Sequence, residues 1–119
     1  MTSSQAGKTV KIKHKIWFER NGEVLFGQGR SLLLRAIEEY GSLNSAAKKL
    51  NMSYRAAWGR LKASEERLGI KLVQMDAAGG AMRLTKNAKE LLDKFDRFEM
   101  ETEKFLNKIS HELHLPRKT

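Results

Sequence analysis

Hydrophobic and polar residues alternate near the start of the chain, over 10–18, where lysines separate the apolar positions. This period of two predicts a strand with one solvated face. Asn21 and Gly22 follow, and both accept the positive φ of a tight hairpin turn. Residues 24–26 are apolar and are predicted to form the short return strand. The pattern indicates an N-terminal β-hairpin, preceded by a polar leader over 1–9 that we expect to be disordered.

Over 28–40 the apolar positions change to the spacing of an amphipathic helix. Gly41 follows this segment and is expected to end the helix, since glycine readily adopts the left-handed cap conformation. The core face of this helix is predicted to carry five residues, Leu32, Leu33, Ala36, Ile37 and Tyr40.

Residues 42–68 predict a short helix, a tight turn and a second helix. Ala46 and Ala47 give the first helix a small apolar face, over which a second helix can cross closely. Asn51 tolerates the left-handed conformation of a turn. Ser53 can cap the second helix, because its hydroxyl oxygen can accept a hydrogen bond from an unpaired backbone N–H. This order of elements is typical of a helix-turn-helix.

The second helix of this motif is expected to end at Gly69. Its predicted core residues are Ala57, Leu61 and Leu68, joined by Ala56 or Trp58. Residues 70–75 then predict a strand, residues 76–80 a turn and residues 81–84 a return strand. A two-stranded hairpin directly after such a helix is the wing of a winged helix, which we place at 72–84.

Apolar residues in the last third of the chain step by four and three alternately, which is the heptad spacing of a helix that pairs with another helix. Thr85 can cap this helix, which is predicted to run from Lys86 to about Leu113, before Pro116. We interpret its second half as a dimerisation element. The alternative is a long helix that folds back on its own core. The residues predicted at the dimer contact are Leu91, Phe95, Phe98, Phe105 and Ile109.

Composition narrows the class of partner. The 119 residues suit one domain, or one domain with a long extension. There are 23 Lys and Arg against 14 Asp and Glu, and the formal charge of +9 favours an anionic partner. Nucleic acid comes first and an anionic membrane surface second. No apolar run approaches the ~20 residues of a membrane span, and the N-terminus lacks the apolar core of a signal peptide. We therefore expect a cytoplasmic protein.

The residue types that catalysis or metal binding needs are sparse. Cysteine is absent, which excludes disulfides, thiolate metal sites and cysteine nucleophiles. His111 and His114 are three residues apart, but no third ligand accompanies them. Gly27 and Gly29 lack the rest of a nucleotide-binding loop. We predict neither an enzyme nor a bound metal or cofactor.

Three stretches of the chain together match a family pattern. They are Gly41-Ser42-Leu43 with Ala46-Ala47, the run Met52-Ser53-Tyr54-Arg55-Ala56-Ala57-Trp58, and the run Gly79-Gly80-Ala81-Met82-Arg83-Leu84-Thr85. In these stretches the chain resembles the DNA-binding domain of molybdate-responsive transcription regulators of the ModE type, whose winged helix is related to that of LysR-type regulators. The resemblance covers roughly residues 32–105.

The residue patterns and the resemblance agree on a fold that is mainly α with a small β component. We expect a winged helix-turn-helix with an N-terminal hairpin over 10–85, a long C-terminal dimerisation helix over 86–115 and a tail over 116–119. The resemblance implies a sequence-specific transcription regulator that binds duplex DNA as a homodimer, with the recognition helix at about 53–68 in the major groove. The alternative is a winged-helix protein-interaction module. Full-length members of the family carry C-terminal oxyanion-binding domains. Because this chain ends at Thr119, we do not expect it to sense molybdate or tungstate.

A recognition helix places its N-terminal residues at the base edges of the major groove. Arg55 is predicted to pair with guanine, because a guanidinium fits two acceptors at once, or to bind a phosphate. For Trp58 we favour packing between the recognition helix and the wing over contact with DNA. Arg83 is expected at the backbone or the minor groove, and Gly79 and Gly80 either allow close approach or only form the turn. The lysines are expected on phosphates or on a solvated face. The full predicted DNA-binding set is Ser45, Lys48, Lys49, Ser53, Tyr54, Arg55, Trp58, Arg60, Lys62, Gly79, Gly80, Arg83 and Lys86.

Overall fold

The computed structural model describes residues 10–116, and the predicted leader over 1–9 lies outside the described residues, as do 117–119 of the predicted tail. The chain divides into two compact units: residues 16–96 form one, and the described residues 10–15 and 97–116 belong to the other. The elements in chain order are β1 (Trp17–Arg20), β2 (Glu23–Gly27), α1 (Gln28–Tyr40), α2 (Leu43–Lys49), α3 (Tyr54–Leu68), β3 (Val73–Met75), β4 (Met82–Leu84), α4 (Lys86–Ile109) and a 3₁₀ turn (Ser110–Glu112).

β1 and β2 form the predicted antiparallel hairpin, with Asn21 and Gly22 at φ values of 51° and 84° in its turn. The first strand begins at Trp17, so the prediction of a strand is wrong for 10–16. The ladder starts where Trp17 pairs with Gly27, and α1 begins immediately after Gly27. Residues 10–16 therefore have no strand of this hairpin opposite them, although their lysines are exposed and the intervening side chains half-buried, as the alternation predicted.

α1 buries a face that is rotated from the predicted one. Its buried residues are Ser31, Leu33, Leu34, Ala36 and Ile37. Leu32 is 45% exposed, because it projects about 140° around the helix from Ile37, which is fully buried. Tyr40 is also exposed, since it is the last residue of the helix. Gly41 ends α1 as predicted: its φ is 72°, and its N–H donates to the carbonyl oxygen of Ile37 at 2.8 Å.

The core of residues 16–96 is built from α1, α2, α3, the first half of α4 and both hairpins. Small residues on α2 and large ones on α1, β2 and α4 contribute to it, so the helices pack closely around aromatic and leucine side chains. The largest apolar side chains that are fully enclosed are Phe26, Phe95, Leu33, Leu34, Ile37 and Leu72.

Phe95 belongs to this core and not to a dimer contact, so the prediction for this residue is wrong. Its side chain is 1% exposed, and its ring centroid lies 5.4 Å from that of Phe26 and 5.6 Å from that of Phe18. Both pairs have the edge-to-face geometry that aromatic rings prefer. Leu91 is half-buried against the same core. The first part of α4 therefore covers its own domain, because a heptad stripe can pack on any apolar surface.

α4 begins with the predicted cap and ends earlier than predicted. Thr85 Oγ1 accepts a hydrogen bond from the N–H of Ala88 at 3.1 Å. The helix ends at Ile109, and the N–H of Leu113 closes the following 3₁₀ turn on the carbonyl oxygen of Ser110 at 3.1 Å. Helices often tighten in this way at their C-terminal end, so the predicted helix is wrong in its last turn.

The predicted wing is present, with shorter strands. β3 pairs with β4 in antiparallel register, with Val73 opposite Leu84. In the turn between them, the N–H of Gly79 donates to the carbonyl oxygen of Asp76 at 2.8 Å, and the φ of Gly79 is 74°. A side chain other than glycine is disfavoured at that φ, so the wing depends on Gly79 for its turn.

Candidate nucleic-acid interface

α2 and α3 form a tight helix-turn-helix. Ala46 and Ala47 on α2 and Ala57 on α3 are fully buried, and their small side chains let the two helices pack closely. The chain reverses at Asn51, whose φ of 56° confirms the predicted left-handed turn residue. The N–H of Met52 donates to the carbonyl oxygen of Ala47 at 3.0 Å. This turn fixes the direction in which α3 leaves α2.

The first turn of α3 is capped and faces solvent. Ser53 Oγ accepts a hydrogen bond from the N–H of Ala56 at 3.0 Å, which confirms the predicted cap. The cap uses the hydroxyl oxygen as acceptor, so the hydroxyl hydrogen can still donate to a phosphate. Tyr54 is 52% exposed, and Arg55 is exposed beside it. This end of α3 presents a phenol, a guanidinium and the positive end of a helix dipole to solvent.

The core face of α3 is narrower than predicted. Ala56 and Trp58 are both exposed, so neither joins the core, and the packing of Trp58 between α3 and the wing stays a prediction. The reason for the exposure is geometric, because Trp58 lies about 100° around the helix from Ala57. Gly59 leaves the surface beside Trp58 open, since a Cβ placed on it meets nothing within 4 Å. A ligand backbone can approach α3 closely at this point.

Trp58 and Lys62 form a pair on one flank of α3. The Lys62 ammonium nitrogen lies 5.4 Å from the centroid of the Trp58 ring and 3.3 Å from Glu65 Oε1. An aromatic face attracts a cation, and the carboxylate neutralises it. The charge that we predicted for a phosphate is thus already compensated within the protein, which makes Lys62 a weaker phosphate ligand than an unpaired lysine.

Lys48 and Lys49, at the end of α2, are exposed, and in the described part of the chain their positive charges are not paired with a carboxylate. Neither has a carboxylate within 4.0 Å among residues 10–116. Ser45 is exposed on the same helix, and its N–H donates to the capping hydroxyl of Ser42 at 3.0 Å. Lys86 is exposed at the first position of α4. These side chains are accessible to an anionic ligand.

Two carboxylates that sequence reasoning missed fix the wing to the helices. Glu65 Oε2 accepts a hydrogen bond from the N–H of Leu72 at 2.8 Å, and Glu38 Oε1 accepts one from the N–H of Leu84 at 2.9 Å. Because the N–H of Leu72 is committed to Glu65, the ladder of β3 starts one residue later. The position of Glu65 on the apolar face of α3 was the only sequence signal. The first bond holds the wing to α3 and the second holds it to α1.

The wing tip carries the other predicted contacts. Arg83 is exposed, its Nη1 donates to the carbonyl oxygen of Glu38 at 3.4 Å, and its Nε lies 4.0 Å from an Asp76 carboxylate oxygen. The N–H of Gly80 donates to Asp76 Oδ1 at 3.2 Å. Gly79 and Gly80 thus serve turn geometry while remaining exposed at the tip. Arg83 is tethered but accessible.

Other kinds of site find little support in the part of the chain that the structure describes. Residues 10–116 contain no group of three or more His, Cys, Asp or Glu side chains placed to hold a metal ion. Within the same residues, none of the helices combines the length and apolar character of a membrane span.

A two-helix motif with an exposed, capped second helix and a following β-hairpin defines a winged helix-turn-helix. Residues 31–89 match the family described as "Bacterial regulatory helix-turn-helix protein, lysR family". The chain is 33% identical over 102 residues to the "Transcriptional regulator ModE" of Haemophilus influenzae, a match that covers 83% of this chain and 37% of that protein. It is 29% identical over 117 residues to the "Molybdenum-pterin-binding protein MopB" of Rhodobacter capsulatus, covering 96% of this chain and 43% of that protein.

Solved structures share the fold. ArgP from Mycobacterium tuberculosis superposes with a TM-score of 0.54 at 26% identity, over 71% of this chain and 31% of that one. The CbnR_DBD–DNA complex gives a TM-score of 0.52 at 23% identity, over 68% of this chain and 92% of that one. Residues 31–89 thus match the helix-turn-helix of the lysR family, and the chain carries a winged helix that is similar to that of ModE. The fold class and the resemblance predicted from the sequence are confirmed. The chain spans about two fifths of the length of these curated relatives.

Proposed function

We propose that this chain is a transcription regulator that binds duplex DNA sequence-specifically as a homodimer, and that it is not an enzyme. The observation that carries the proposal is the exposed first turn of α3, where Tyr54 and Arg55 stand at the capped end of a helix. Lys48 and Lys49 add accessible positive charge nearby in the motif, and the whole chain has a formal charge of +9. As a DNA-binding regulator, the protein is expected to be located in the cytoplasm, where the DNA is.

The relatives support the same function. The Haemophilus influenzae protein is named a transcriptional regulator, and the CbnR domain has been solved in a complex with DNA.

In the proposed complex, α3 lies in the major groove with its N-terminal residues at the base edges. The Arg55 guanidinium can pair with the two acceptors of a guanine edge, which distinguishes that base from the other three. Lys48, Lys49 and Arg60 neutralise phosphates, which supplies affinity without sequence choice. The wing, with Arg83 near its tip, lies along the backbone or in the minor groove.

We expect the affinity of the full chain for a labelled duplex to fall steeply with salt. Each neutralised phosphate contributes about −0.9 to the slope of log affinity against log salt, so three phosphate contacts give a slope of about −2.7. Fluorescence anisotropy between about 50 and 200 mM salt measures this slope, on a duplex selected from a random pool and on a scrambled one. Absence of duplex binding at the lowest salt contradicts the proposal and favours the protein-interaction module. A preference for the selected duplex supports it.

The second half of α4 carries the proposed dimer contact. Phe105 is 60% exposed, and Phe98, two helical turns earlier, is also exposed. Ile109 continues the same heptad stripe. Pairing with a second copy would bury this stripe. It would also place two copies of α3 on half-sites about 34–36 Å or a multiple apart, so that a palindrome is read.

A charge placed on this stripe is expected to dissociate the dimer. The Phe105→Glu variant puts a carboxylate where the two helices pair, whereas Met100→Glu changes another exposed apolar residue, about 140° away around α4. Sedimentation at micromolar concentration should show a monomer for Phe105→Glu and a dimer for Met100→Glu and for the unchanged chain. A monomeric unchanged chain, both with and without DNA, contradicts the proposed dimer.

A further inference from the structure

Three arginines from two helices meet on one side of α3, and we name them the arginine flank: Arg30 on α1 and Arg60 and Arg67 on α3. Arg30 Nε donates to Ser64 Oγ at 2.7 Å, which places its guanidinium against α3. A Cβ built on Gly29 would lie 3.7 Å from Arg60 Nη1, so the Arg60 guanidinium reaches the first turn of α1.

Three hydrogen bonds of the flank use neutral groups. Ser64 accepts from Arg30 and in turn donates to the carbonyl oxygen of Arg60 at 2.8 Å. Arg67 Nη1 donates to the carbonyl oxygen of Val24 at 3.1 Å. Among residues 10–116, no carboxylate lies within 4.0 Å of any of the three guanidinium groups. The flank therefore concentrates positive charge that the described part of the chain does not neutralise by direct pairing.

Arg30 is the arginine of the flank that is most affected by repulsion between the positive charges. Burial, followed by the charges of Arg67 and Arg60, lowers the pKa of Arg30 from its ordinary value. Like charges that are held together destabilise a fold unless an anion compensates them. An anion from outside the chain would relieve the repulsion, and it would gain charge-assisted hydrogen bonds that a planar guanidinium makes well.

An anion fits best at the end of the flank where Arg30 and Arg60 lie. Arg67 lines a cavity that it shares with Glu23 and Glu66, so acidic groups are close to that end. At the other end, the first turn of α1 has no acidic residue and no capping side chain on its backbone N–H groups. Those N–H groups add to the positive potential around the two guanidinium groups.

The flank lies on a different side of α3 from its other basic surface. Arg60 is about 140° around the helix from Arg55 and about 160° from Lys62. Arg67 is two turns beyond Arg60, so both lie on one side of the helix. A helix in the major groove has one DNA strand on each side of it, about 12 Å apart. Lys62 lies only about 20° around the helix from Arg55, so both lie on one side of α3. If Arg55 faces the bases, the Arg60 side chain extends toward the strand on the side away from Trp58.

We propose that Arg30 and Arg60 together clamp a backbone phosphate of the DNA strand that borders α3 on the side opposite Trp58 and Lys62. This inference rests on the proposed function and deepens it, because it assigns to α1 a direct role in holding DNA. The clamp fixes the rotation of α3 in the groove, since one side of the helix is bound to a strand through a second helix.

The test compares two variants that lose the same charge from α1. Arg30→Gln removes a member of the clamp. Arg35→Gln is the control, because Arg35 lies on the same helix and its guanidinium is paired with Asp96. We expect Arg30→Gln to weaken binding of the selected and the scrambled duplex alike, by about tenfold, the loss of one charge-assisted contact. The salt slope should become shallower by up to about 1, since Arg60 still contacts the same phosphate. Arg35→Gln should leave the affinity and the slope close to those of the unchanged chain.

Arg60→Gln serves as the second variant, because its side chain is exposed and its loss does not threaten folding. It should reproduce the effect of Arg30→Gln, and the double variant should lose less than the sum, since both groups hold one phosphate. Thermal unfolding separates binding from stability. A purely structural role for Arg30 predicts a lower melting temperature with unchanged DNA affinity, and that result overturns the clamp.

Two further outcomes distinguish this inference from the proposed function. If the unchanged chain binds no duplex, the proposed function and the clamp fail together. If it binds duplex but Arg30→Gln and Arg60→Gln match Arg35→Gln, only the clamp fails. Calorimetric titration with inorganic phosphate alone, at constant ionic strength, should show no binding at micromolar concentration. Tight binding there would assign the flank to a free phosphate ligand instead of DNA.

Discussion

Replacement of Phe95 by alanine is expected to lower the free energy of unfolding by about 3–5 kcal/mol, the range for an aromatic residue removed from a packed core. The side chain is 1% exposed and packs edge-to-face against Phe18 and Phe26. Its loss removes the contacts of the Phe95 ring with the other two rings and leaves a cavity that the surrounding helices and strands fill only in part. Since small domains are stable by only about 5–15 kcal/mol, this loss is a large fraction of the free energy of unfolding.

Denaturant unfolding at a fixed protein concentration measures this loss. Met100→Ala is the control, because Met100 is on the same helix and 53% exposed. Its change should stay within about 0.5 kcal/mol, as for most surface substitutions. A Phe95→Ala chain that unfolds at the same denaturant concentration as the unchanged chain would contradict the core role of Phe95.

The heptad stripe of α4 shows what a spacing can and cannot predict. The three-and-four spacing correctly predicted a long helix, but a core face and a coiled-coil seam share that spacing. Phe95 and Phe105 both belong to this stripe, yet one is enclosed and the other is 60% exposed. The difference is decided by whether another element packs on each turn, which no local pattern contains.

The alternation over 10–16 likewise predicted side-chain exposure correctly but a strand wrongly. The lysines are exposed and the residues between them are half-buried, as predicted. A strand also needs a neighbour whose backbone can complete the ladder, and β2 ends at Gly27, opposite Trp17. The side-chain period was therefore predictable, while the backbone pairing depended on where the next helix begins.

The parts of the site that depend on local chemistry were predictable. The left-handed turn at Asn51 and the caps at Ser53 and Thr85 depend on residues within three or four positions along the chain, and all three are present. The contacts of Arg30 and Glu65 cross between elements. Their partners are set by how the helices pack, so sequence patterns alone did not identify them.

Arg55→Ala is expected to remove sequence preference while leaving a substantial affinity for any duplex. A bidentate pair between a guanidinium and guanine contributes about 1–3 kcal/mol of discrimination, so the ratio of affinities for selected and scrambled DNA should fall by about 5- to 150-fold. Arg55 is suited to this role because it is exposed at the capped end of α3, and no carboxylate among residues 10–116 lies within 4.0 Å of it. Paired anisotropy titrations on the two duplexes give the ratio directly.

Lys48→Ala is the matched variant, since it removes one positive charge from the other helix of the motif. Its ammonium is a compact charge that suits a phosphate and reads no base edge, so its loss should weaken both duplexes equally and make the salt slope shallower by about 1. Both variants remove one positive charge, but Arg55→Ala is expected to reduce sequence preference and Lys48→Ala to reduce affinity for both duplexes equally. If Arg55→Ala instead weakens the selected and the scrambled duplex by the same factor, Arg55 binds a phosphate. Base readout must then come from the other exposed groups at the start of α3, the Tyr54 phenol and the Ser53 hydroxyl.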